Sequence, residues 1–209
     1  MKIMRRPRNF FGGHWYNLVD AIFRLSNNIS KGAVDMAEID MKAMFSLTYG
    51  MYIVSTEFNG KLNGQVANTC MQITSAPLCV AVCINKANLT TELVSSRGAF
   101  SVSILEQDVP MTFIGQFGFK SGRDIDKFAG VKYRMSEGGT PLIEDWCVAA
   151  FDAKVVETVD MPSHILFVGE VRESVFFKEA PLLTYSDYHT IKKGKSPKTA
   201  PTFGFNALK

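Results

Sequence analysis

The chain has 209 residues, of which 46% are hydrophobic and 21% are charged, a balance typical of a folded globular protein rather than a disordered one. Its net charge of +3 comes from basic clusters near the two ends, in residues 2–8 and 192–198, while the part between them is close to neutral. An extended nucleic-acid-binding face is therefore not expected, and basic ends that are simply solvated are favoured over ends that bind nucleic acid or anionic lipid.

Residues 1–35 are predicted to form an N-terminal extension that contains an amphipathic helix. Between residues 17 and 29, Leu18, Ile22 and Leu25 fall on one stripe of a helix, which we expect to pack on the body of the protein or on a partner subunit. A helix lying on a membrane surface is the alternative, given the basic flank. The positive charges are not followed by a compact apolar run with a cleavage site, so no secretory signal is expected and the cytoplasm is the expected location.

The sequence after residue 43 is dominated by β-strand patterns. The longest apolar run, Leu78 to Ile84, is too short to span a membrane and is typical of a buried strand. Asn59-Gly60 marks a hairpin turn, and Asn63-Gly64 just beyond it is a second turn candidate. Strands are predicted over residues 43–58, 64–74, 78–84, 99–105, 148–159 and 164–171, with a short one at 175–177. About six strands with few helices predict a mainly β fold, an antiparallel barrel that is closed or half-open.

Shorter segments between and after these strands carry helix signals. A helix is predicted over residues 88–97, with Asn88 or Thr90 as its cap and Gly98 as its terminator. Residues 110–119 are predicted as helix or loop, residues 121–128 as a loop leading into a helix, and residues 183–191 as a short amphipathic segment. Residues 192–209 are predicted to be an extended basic tail.

Several kinds of active site are missing from the sequence. The cysteines form no C-x-x-C pair, so neither a zinc ribbon nor an iron–sulfur site is expected, and no metal site is predicted. A hydrolase is not favoured, because no glycine-rich serine elbow is present and the chain has only three histidines. No G-x-G-x-x-G follows a strand, so a nicotinamide site of the Rossmann type is not expected.

The segment from residue 63 to residue 91 combines features that suit a nucleotide-like ligand. The small residues Ala67, Asn68 and Thr69 let a planar ligand approach the backbone, whose polar groups can then contact its edge. Residues 85–91 offer hydroxyls, an amide, a cation and free N–H groups at a helix start, all of which suit a phosphate. Polar strands and capped helices are also common without such a ligand, so from the residues alone both interpretations stay open.

This segment resembles the flavin-reductase-like split-barrel family, in which N-G-x-T-A-N-S-F-x-S-V-S-x-x-P is followed by a strand and N-K-x-S-x-T. The residues that match these two motifs at equal spacing are Asn63, Gly64, Ala67, Asn68, Pro77, Asn85, Lys86 and Thr90. Val66 and Cys70 depart from the usual Thr and Phe. Residues 117–128 (FGFKSGRDIDKF) and 188–203 (YHTIKKGKSPKTAPTF) resemble the flavin domains of high-molecular-weight rubredoxins and of flavoredoxins.

The resemblance implies a six-stranded antiparallel Greek-key split barrel over residues 36–191 that binds FMN. It implies an oxidoreductase that takes electrons from NADH or NADPH, bound directly over the flavin, and passes them to free flavin or to a redox protein such as rubredoxin or a flavodiiron protein. It also implies a homodimer with the flavin near the subunit interface. A non-catalytic flavin- or haem-binding module for storage or sensing is the alternative, and a nucleic-acid binder, which would rest only on the basic ends, is less favoured.

The resemblance also assigns residues to the site. The residues implied to bind the cofactor are Val66, Ala67, Asn68, Thr69, Cys70, Gln72, Ile73, Thr74, Asn85, Lys86, Thr90, Thr91, Phe117, Ser121, Gly122, Arg123, Lys127 and Tyr188. For residues 121–127 the periodicity alone favours a capped, salt-bridged surface helix, whereas the resemblance implies a phosphate-binding loop. His164 is implied to shape the nicotinamide pocket, the alternative being a residue that merely begins a strand.

Overall fold

The computed structural model describes residues 40, 43–44 and 46–202, and the described residues from 43 onward form one compact unit. The helix predicted within residues 17–29 lies outside the described residues, so the N-terminal extension stays a prediction. No helix in the described part is both long and apolar enough to cross a membrane. The same part contains no cluster of three or more His, Cys, Asp or Glu side chains that could hold a metal ion.

Strands are the main regular structure of the described chain. In chain order they are β1 (Tyr52–Phe58), β2 (Lys61–Ala67), β3 (Cys70–Ser75), β4 (Leu78–Asn85), β5 (Ala99–Leu105), β6 (Tyr133–Met135), β7 (Pro141–Ile143), β8 (Cys147–Asp160) and β9 (His164–Phe176). Helix α1 (Leu89–Arg97) follows β4, α2 (Met111–Gly118) follows β5, and α3 (Tyr185–Thr190) follows β9. Seven strands form one antiparallel sheet in the order β2-β1-β5-β8-β9-β4-β3, and β6 pairs with β7 separately. The mainly β antiparallel fold predicted from the sequence is confirmed.

The ends of the sheet are joined by a very short link. β2 and β3 stand at opposite ends of the sheet, yet only Asn68 and Thr69 separate them in the chain. The sheet must therefore curl until the end of β2 lies near the start of β3, which makes it a split barrel with a seam between these two strands. The sequence predicted one strand over residues 64–74, and the structure has two because the first part pairs with β1 and the second with β4. This division gives the main sheet seven strands instead of six.

The first turn signal and the helix caps are confirmed, whereas the second turn candidate, Asn63-Gly64, lies within β2 and pairs with β1. Asn59 and Gly60 have φ values of 52° and 78° and connect β1 to β2, as the hairpin signal predicted. Asn88 is the N-cap of α1, and Gly98 ends the helix in the left-handed conformation at a φ of 70°. The Gly98 N–H donates to the Val94 carbonyl at 2.8 Å, which satisfies one of the carbonyls at the helix end.

Two apolar clusters flank β1 because successive side chains of a strand point to opposite faces. Val54 faces the barrel interior, where it lies with Phe100 and Phe167. Ile53 faces the other way, where it packs with Phe117 of α2. All of these side chains are fully or almost fully buried. The second cluster holds α2 against β2, and this packing creates one side of the site described next.

Candidate functional site

A cleft of about 340 Å³ opens beside the barrel seam, within the size range of small-molecule sites. β2 forms one wall, and the connection between β4 and α1 forms one end. The loop after α2, together with α3 and residues 196–201, encloses the remaining sides. Because β2 is an end strand of the sheet, its backbone edge is available to a ligand in this cleft.

Two amide side chains form a polar floor to the cleft. Asn63 and Gln65 alternate along β2 and therefore share a face, and they are only 2% and 9% exposed. Asn63 Nδ2 donates to Thr90 Oγ1 at 2.8 Å. Within the described part of the chain, neither Asn63 Oδ1 nor Gln65 Oε1 has a hydrogen-bond partner. Buried polar atoms are nearly always hydrogen-bonded, so these two acceptors point to a ligand that donates hydrogen bonds.

A glycine allows the loop after α2 to pack closely against this floor. A Cβ atom added to Gly122 would lie 1.9 Å from Asn63 Oδ1, far inside contact distance. Gly122 therefore lets the loop after α2 approach β2 closely at the point where the unpartnered acceptor lies.

Lys127 lies in the wall between β2 and α2. Its side chain is buried at 5% exposure, and its Nζ donates to the carbonyls of Gly64 and Phe117, at 2.9 Å in each case. Burial lowers the pKa of Lys127 to about 8, because the charged ammonium loses hydration there. An ammonium has three donors, so Lys127 can give one more hydrogen bond to a ligand in the cleft that it lines.

The end of the cleft is formed by the start of α1. Asn85 and Thr90 line it, and the Asn85 Oδ1 atom accepts a hydrogen bond from the Ala87 N–H at 2.9 Å. Thr91 Oγ1 turns away and donates to the Asn85 carbonyl at 2.6 Å, which fixes the loop. The first N–H groups of a helix and nearby hydroxyls are the donors that proteins use for phosphate.

The cations predicted for this end are engaged elsewhere. Lys86 forms an exposed ion pair with Asp160, and Arg123 forms one with Glu92 in the first turn of α1. Ser121 Oγ accepts the Arg123 N–H at 3.1 Å, as a capping side chain does. Residues 121–128 thus form turns and not the salt-bridged surface helix that periodicity favoured, since Arg123 pairs with Glu92 of α1, and Ser121 and Gly122 line the cleft.

The cleft brings together many, but not all, of the residues predicted for the site. Those that line it are Val66, Ala67, Asn68, Asn85, Thr90, Phe117, Ser121, Gly122, Lys127 and Tyr188. Those that do not line it in the single chain are Thr69, Cys70, Gln72, Ile73, Thr74, Lys86, Thr91, Arg123 and His164.

The predicted residues on β3 share a different surface. Gln72, Ile73 and Thr74 are exposed on this end strand, and Thr74 Oγ1 donates to the Pro77 carbonyl at 2.6 Å. Cys70 is half-buried, and burial raises the pKa of its thiol to about 12. The Cys70 thiol is therefore neutral at physiological pH and is not a nucleophile.

His164 begins β9 directly opposite Asn85 of β4. Its Nδ1 lies 2.8 Å from Ser163 Oγ, so the neighbouring hydroxyl orients the ring. In the described part of the chain its buried Nε2 has no hydrogen-bond partner. The imidazole thus stands one strand away from the cleft residue Asn85.

Other cleft residues were not predicted. They are Met51, Asn63, Gln65, Cys83, Ile84, Ala87, Asn88, Leu89, Ile114, Gly118, Phe119, Lys120, Tyr185, Ser196, Pro197, Thr199, Ala200 and Pro201. Asn63 and Gln65 were detectable, because amides at alternate positions of a strand next to a motif indicate a polar wall. Ser196 to Pro201 lie in the segment whose resemblance to flavin domains was noted, but its composition predicted only an extended tail.

Comparison with known proteins finds a family profile and relatives that are similar to most of this chain. A sequence profile described as "Flavin reductase like domain" matches residues 44–192. The chain is 48% identical over 165 residues to a high molecular weight rubredoxin of Moorella thermoacetica, covering 79% of this chain and 72% of that protein. It is 47% identical over 165 residues to a ferric-chelate reductase (NAD(P)H) of Archaeoglobus fulgidus, covering 79% of this chain and 98% of that protein.

The fold is also similar to solved structures. The crystal structure of flavoredoxin from Methanosarcina acetivorans superposes with a TM-score of 0.58 at 25% sequence identity, covering 62% of this chain and 69% of that one. This likeness supports the barrel architecture and the relation to flavoredoxins that residues 117–128 and 188–203 indicated.

Proposed function

Since the chain belongs to the flavin reductase like domain family, we propose that it is an FMN-dependent oxidoreductase that takes electrons from NADH or NADPH. It passes them to free flavin or to a redox protein such as rubredoxin or a flavodiiron protein. The observation that carries this proposal is the cleft at the barrel seam, where a buried lysine, a helix start and two buried amide oxygens without a partner among the described residues converge.

The residues of the cleft fit FMN. The side-chain oxygens of Asn63 and Gln65, which have no partner among the described residues, would accept hydrogen bonds from the hydroxyl-bearing chain of the cofactor. Thr90 and the first N–H groups of α1 would hold the phosphate. The backbone of Val66 and Ala67, at the end of β2, would contact the ring. When bound, FMN supplies the hydride and electron transfer chemistry that amino acid side chains lack.

The protein contributes binding, orientation and electrostatics to this chemistry. Lys127 donates to the Gly64 carbonyl and so fixes β2, and its remaining N–H group faces the cleft. Phe117 and Ile114 of α2 give the cleft an apolar side that excludes water from one face of the ligand. His164 is proposed to shape the nicotinamide pocket, supported by the unpartnered Nε2 atom at the strand opposite Asn85.

The proposal is tested by anaerobic reduction. We expect the purified protein, reconstituted with FMN, to be yellow after gel filtration and its visible flavin absorbance to bleach when NADH or NADPH is added without oxygen. Yellow protein that no nicotinamide bleaches would favour a storage or sensing module. Protein that takes up haem and not FMN would overturn the proposal. An Asn63→Leu and Thr90→Val double variant, which loses the polar floor contact, serves as the matched control and should bind FMN weakly.

A homodimer is part of the proposal, and the surface of β3 supports it. This end strand exposes Met71 and Ile73 at 54% and 44%, and Leu78 beside them is 41% exposed. An exposed apolar end strand is suited to a second chain. A second copy of this chain is the favoured partner for this surface. The residues of β3 that were predicted to bind the flavin lie outside the cleft of their own chain. They can contact a flavin only if it is bound in the cleft of a second copy.

Light scattering of the eluting protein tests the dimer. Ile73→Lys places a charge in the proposed interface and should give a monomer, whereas Met135→Lys, on β6 at 43% exposure, should leave the dimer intact. A wild-type monomer, or a dimer that Ile73→Lys leaves unchanged, would contradict this interface.

Docking of a rubredoxin-type partner is supported by outward-facing charge. Lys193, Lys195 and Lys198 are exposed on the segment beside the cleft and suit an acidic partner. Replacing these lysines by glutamine keeps the segment in place, whereas deleting it would also remove one wall of the cleft. We expect the triple variant to lose the salt dependence of electron transfer to rubredoxin and to keep its reduction by nicotinamide. Unchanged salt dependence would contradict docking at this segment.

A further inference from the structure

Residues 194–202, here called the C-terminal strap, cross the mouth of the cleft. Ser196, Pro197, Thr199, Ala200 and Pro201 line the cleft together with β2. Ser196 is 6% exposed, although the strap contains no helix or strand. A residue that is buried in a segment without regular structure must be held by specific contacts. Such contacts are present at both of its ends.

The first end of the strap is fixed to α3. Gly194 N–H donates to the Tyr188 carbonyl at 2.9 Å, and the Tyr188 hydroxyl donates to the Lys195 carbonyl at 2.9 Å. A Cβ added to Gly194 would lie 2.1 Å from the Tyr188 ring. Gly194 therefore allows the strap to pass directly over the tyrosine. His189 Nδ1 lies 3.0 Å from the Gly194 carbonyl and donates to it.

The other end is fixed to the strand that carries the site. Asn68 Nδ2, at the end of β2, donates to Thr202 Oγ1 at 3.1 Å. Thr202 Oγ1 also lies 2.6 Å from the Tyr185 hydroxyl, which in turn contacts Ser196 Oγ. These bonds form a continuous chain from β2 across the cleft mouth to α3.

We propose that the C-terminal strap is a clasp that retains the flavin in the cleft, with the Asn68–Thr202–Tyr185 hydrogen bonds as its fastening. This inference rests on the proposed function. A ligand enclosed between β2 and the strap leaves only when the strap moves, so the strength of the fastening sets its dissociation rate. A closed clasp makes FMN a retained cofactor of an electron carrier, whereas an open one would make it a substrate that exchanges at each turnover.

Thr202→Val tests the clasp, since valine keeps the shape of threonine and removes the shared hydroxyl. Loss of two ordinary hydrogen bonds predicts that FMN leaves about 10- to 30-fold faster. The release rate is read from the recovery of FMN fluorescence on dilution of the wild-type holoprotein and the variant. Thr190→Val is the matched control, because Thr190 bonds only within its own helix, to the Ser186 carbonyl, and should leave the rate unchanged.

Gly194→Ala acts on the other end and should also speed release, whereas Gly115→Ala, where an added Cβ meets nothing within 4 Å, should not. Trypsin provides a second readout that needs no flavin. Cleavage after Lys195 and Lys198 should be faster in Thr202→Val than in wild type or Thr190→Val, because a strap released at one end is more accessible.

The outcomes separate the two hypotheses. If the wild-type protein retains FMN and Thr202→Val releases FMN at a rate within about twofold of the wild-type rate, the clasp is overturned and the proposed function stands. Wild-type protein that binds no FMN would overturn both. Faster release from Thr202→Val and Gly194→Ala, with both controls unchanged, supports the clasp.

Discussion

Replacement of Gln65 by methionine separates the stability of the fold from the affinity of the site. Methionine has nearly the length and volume of glutamine but no polar amide. Gln65 is 9% exposed, and among the described residues its Oε1 has no hydrogen-bond partner. A buried acceptor left without a partner costs about 1–3 kcal/mol. Gln65→Met removes this cost from the free protein, and it also removes a protein acceptor that would receive a hydrogen bond from the ligand.

The expected magnitudes have opposite signs. The free protein should gain about 1 kcal/mol in its free energy of unfolding, which corresponds to a rise in Tm of about 2–4 °C for a domain of this size. The complex should lose one hydrogen bond to FMN, so Kd should rise about tenfold. A site that is optimised for a ligand rather than for the fold produces this pattern.

Thermal unfolding of the flavin-free protein and fluorescence titration with FMN measure the two effects. Gln116→Met is the matched control, because Gln116 Nε2 donates to the Lys127 carbonyl at 2.7 Å and Gln116 does not line the cleft. That variant should lose stability. A Gln65→Met protein that melts lower and binds FMN as tightly as wild type would refute the reasoning, since Oε1 would then serve the fold and not the ligand.

Further predictions concern charge. Burial lowers the pKa of Lys127 to about 8, so the affinity for FMN should fall severalfold as the pH rises from 7 to 9. The charge of the FMN phosphate is constant over this range. Fluorescence titration of Lys127→Met should show weaker binding that does not change with pH. The folded protein loses the Lys127 proton near pH 8, whereas the unfolded chain keeps it up to about pH 10.5. The free energy of unfolding of the wild-type protein should therefore rise between these pH values relative to that of Lys127→Met, as urea unfolding would show. Asp152 is fully buried and accepts hydrogen bonds from Arg172 Nε at 2.7 Å and Thr140 Oγ1 at 2.6 Å. Asp152→Asn should therefore lower the free energy of unfolding, measured with urea, by roughly 3 kcal/mol. Asp152 does not line the cleft, and an unchanged Kd for FMN would confirm that its role is structural.

The strands and caps were predictable because their signals are local. Alternating apolar residues marked β5, and Gly98 marked the end of α1, without any knowledge of their partners. The division of residues 64–74 into β2 and β3 was missed because it depends on which strand each half pairs with. That choice is made by distant parts of the chain, and no local signal separates Asn68-Thr69 from a continuous polar strand.

The site was predictable only in part, for a related reason. The sequence predicted that the motifs around Asn68, Asn85 and Gly122 share one site, and these three residues line the same cleft in the structure. The contribution of Ser196 to Pro201 was missed because this segment is held by hydroxyl and backbone hydrogen bonds rather than by apolar burial. Hydrophobic periodicity does not detect such contacts, and a basic, proline-containing segment gives the pattern of a solvated tail.

The hydrogen bond between Asn68 and Thr202 joins positions 134 residues apart, and this span has a consequence for the order of assembly. The cofactor pocket is not complete until the sheet has closed and residue 202 has been synthesised and has come back to the first hairpin. Contacts of such long range form late, after local hairpins. The flavin pocket is therefore completed at a late step of folding, and the appearance of bound flavin reports that step rather than an early collapse.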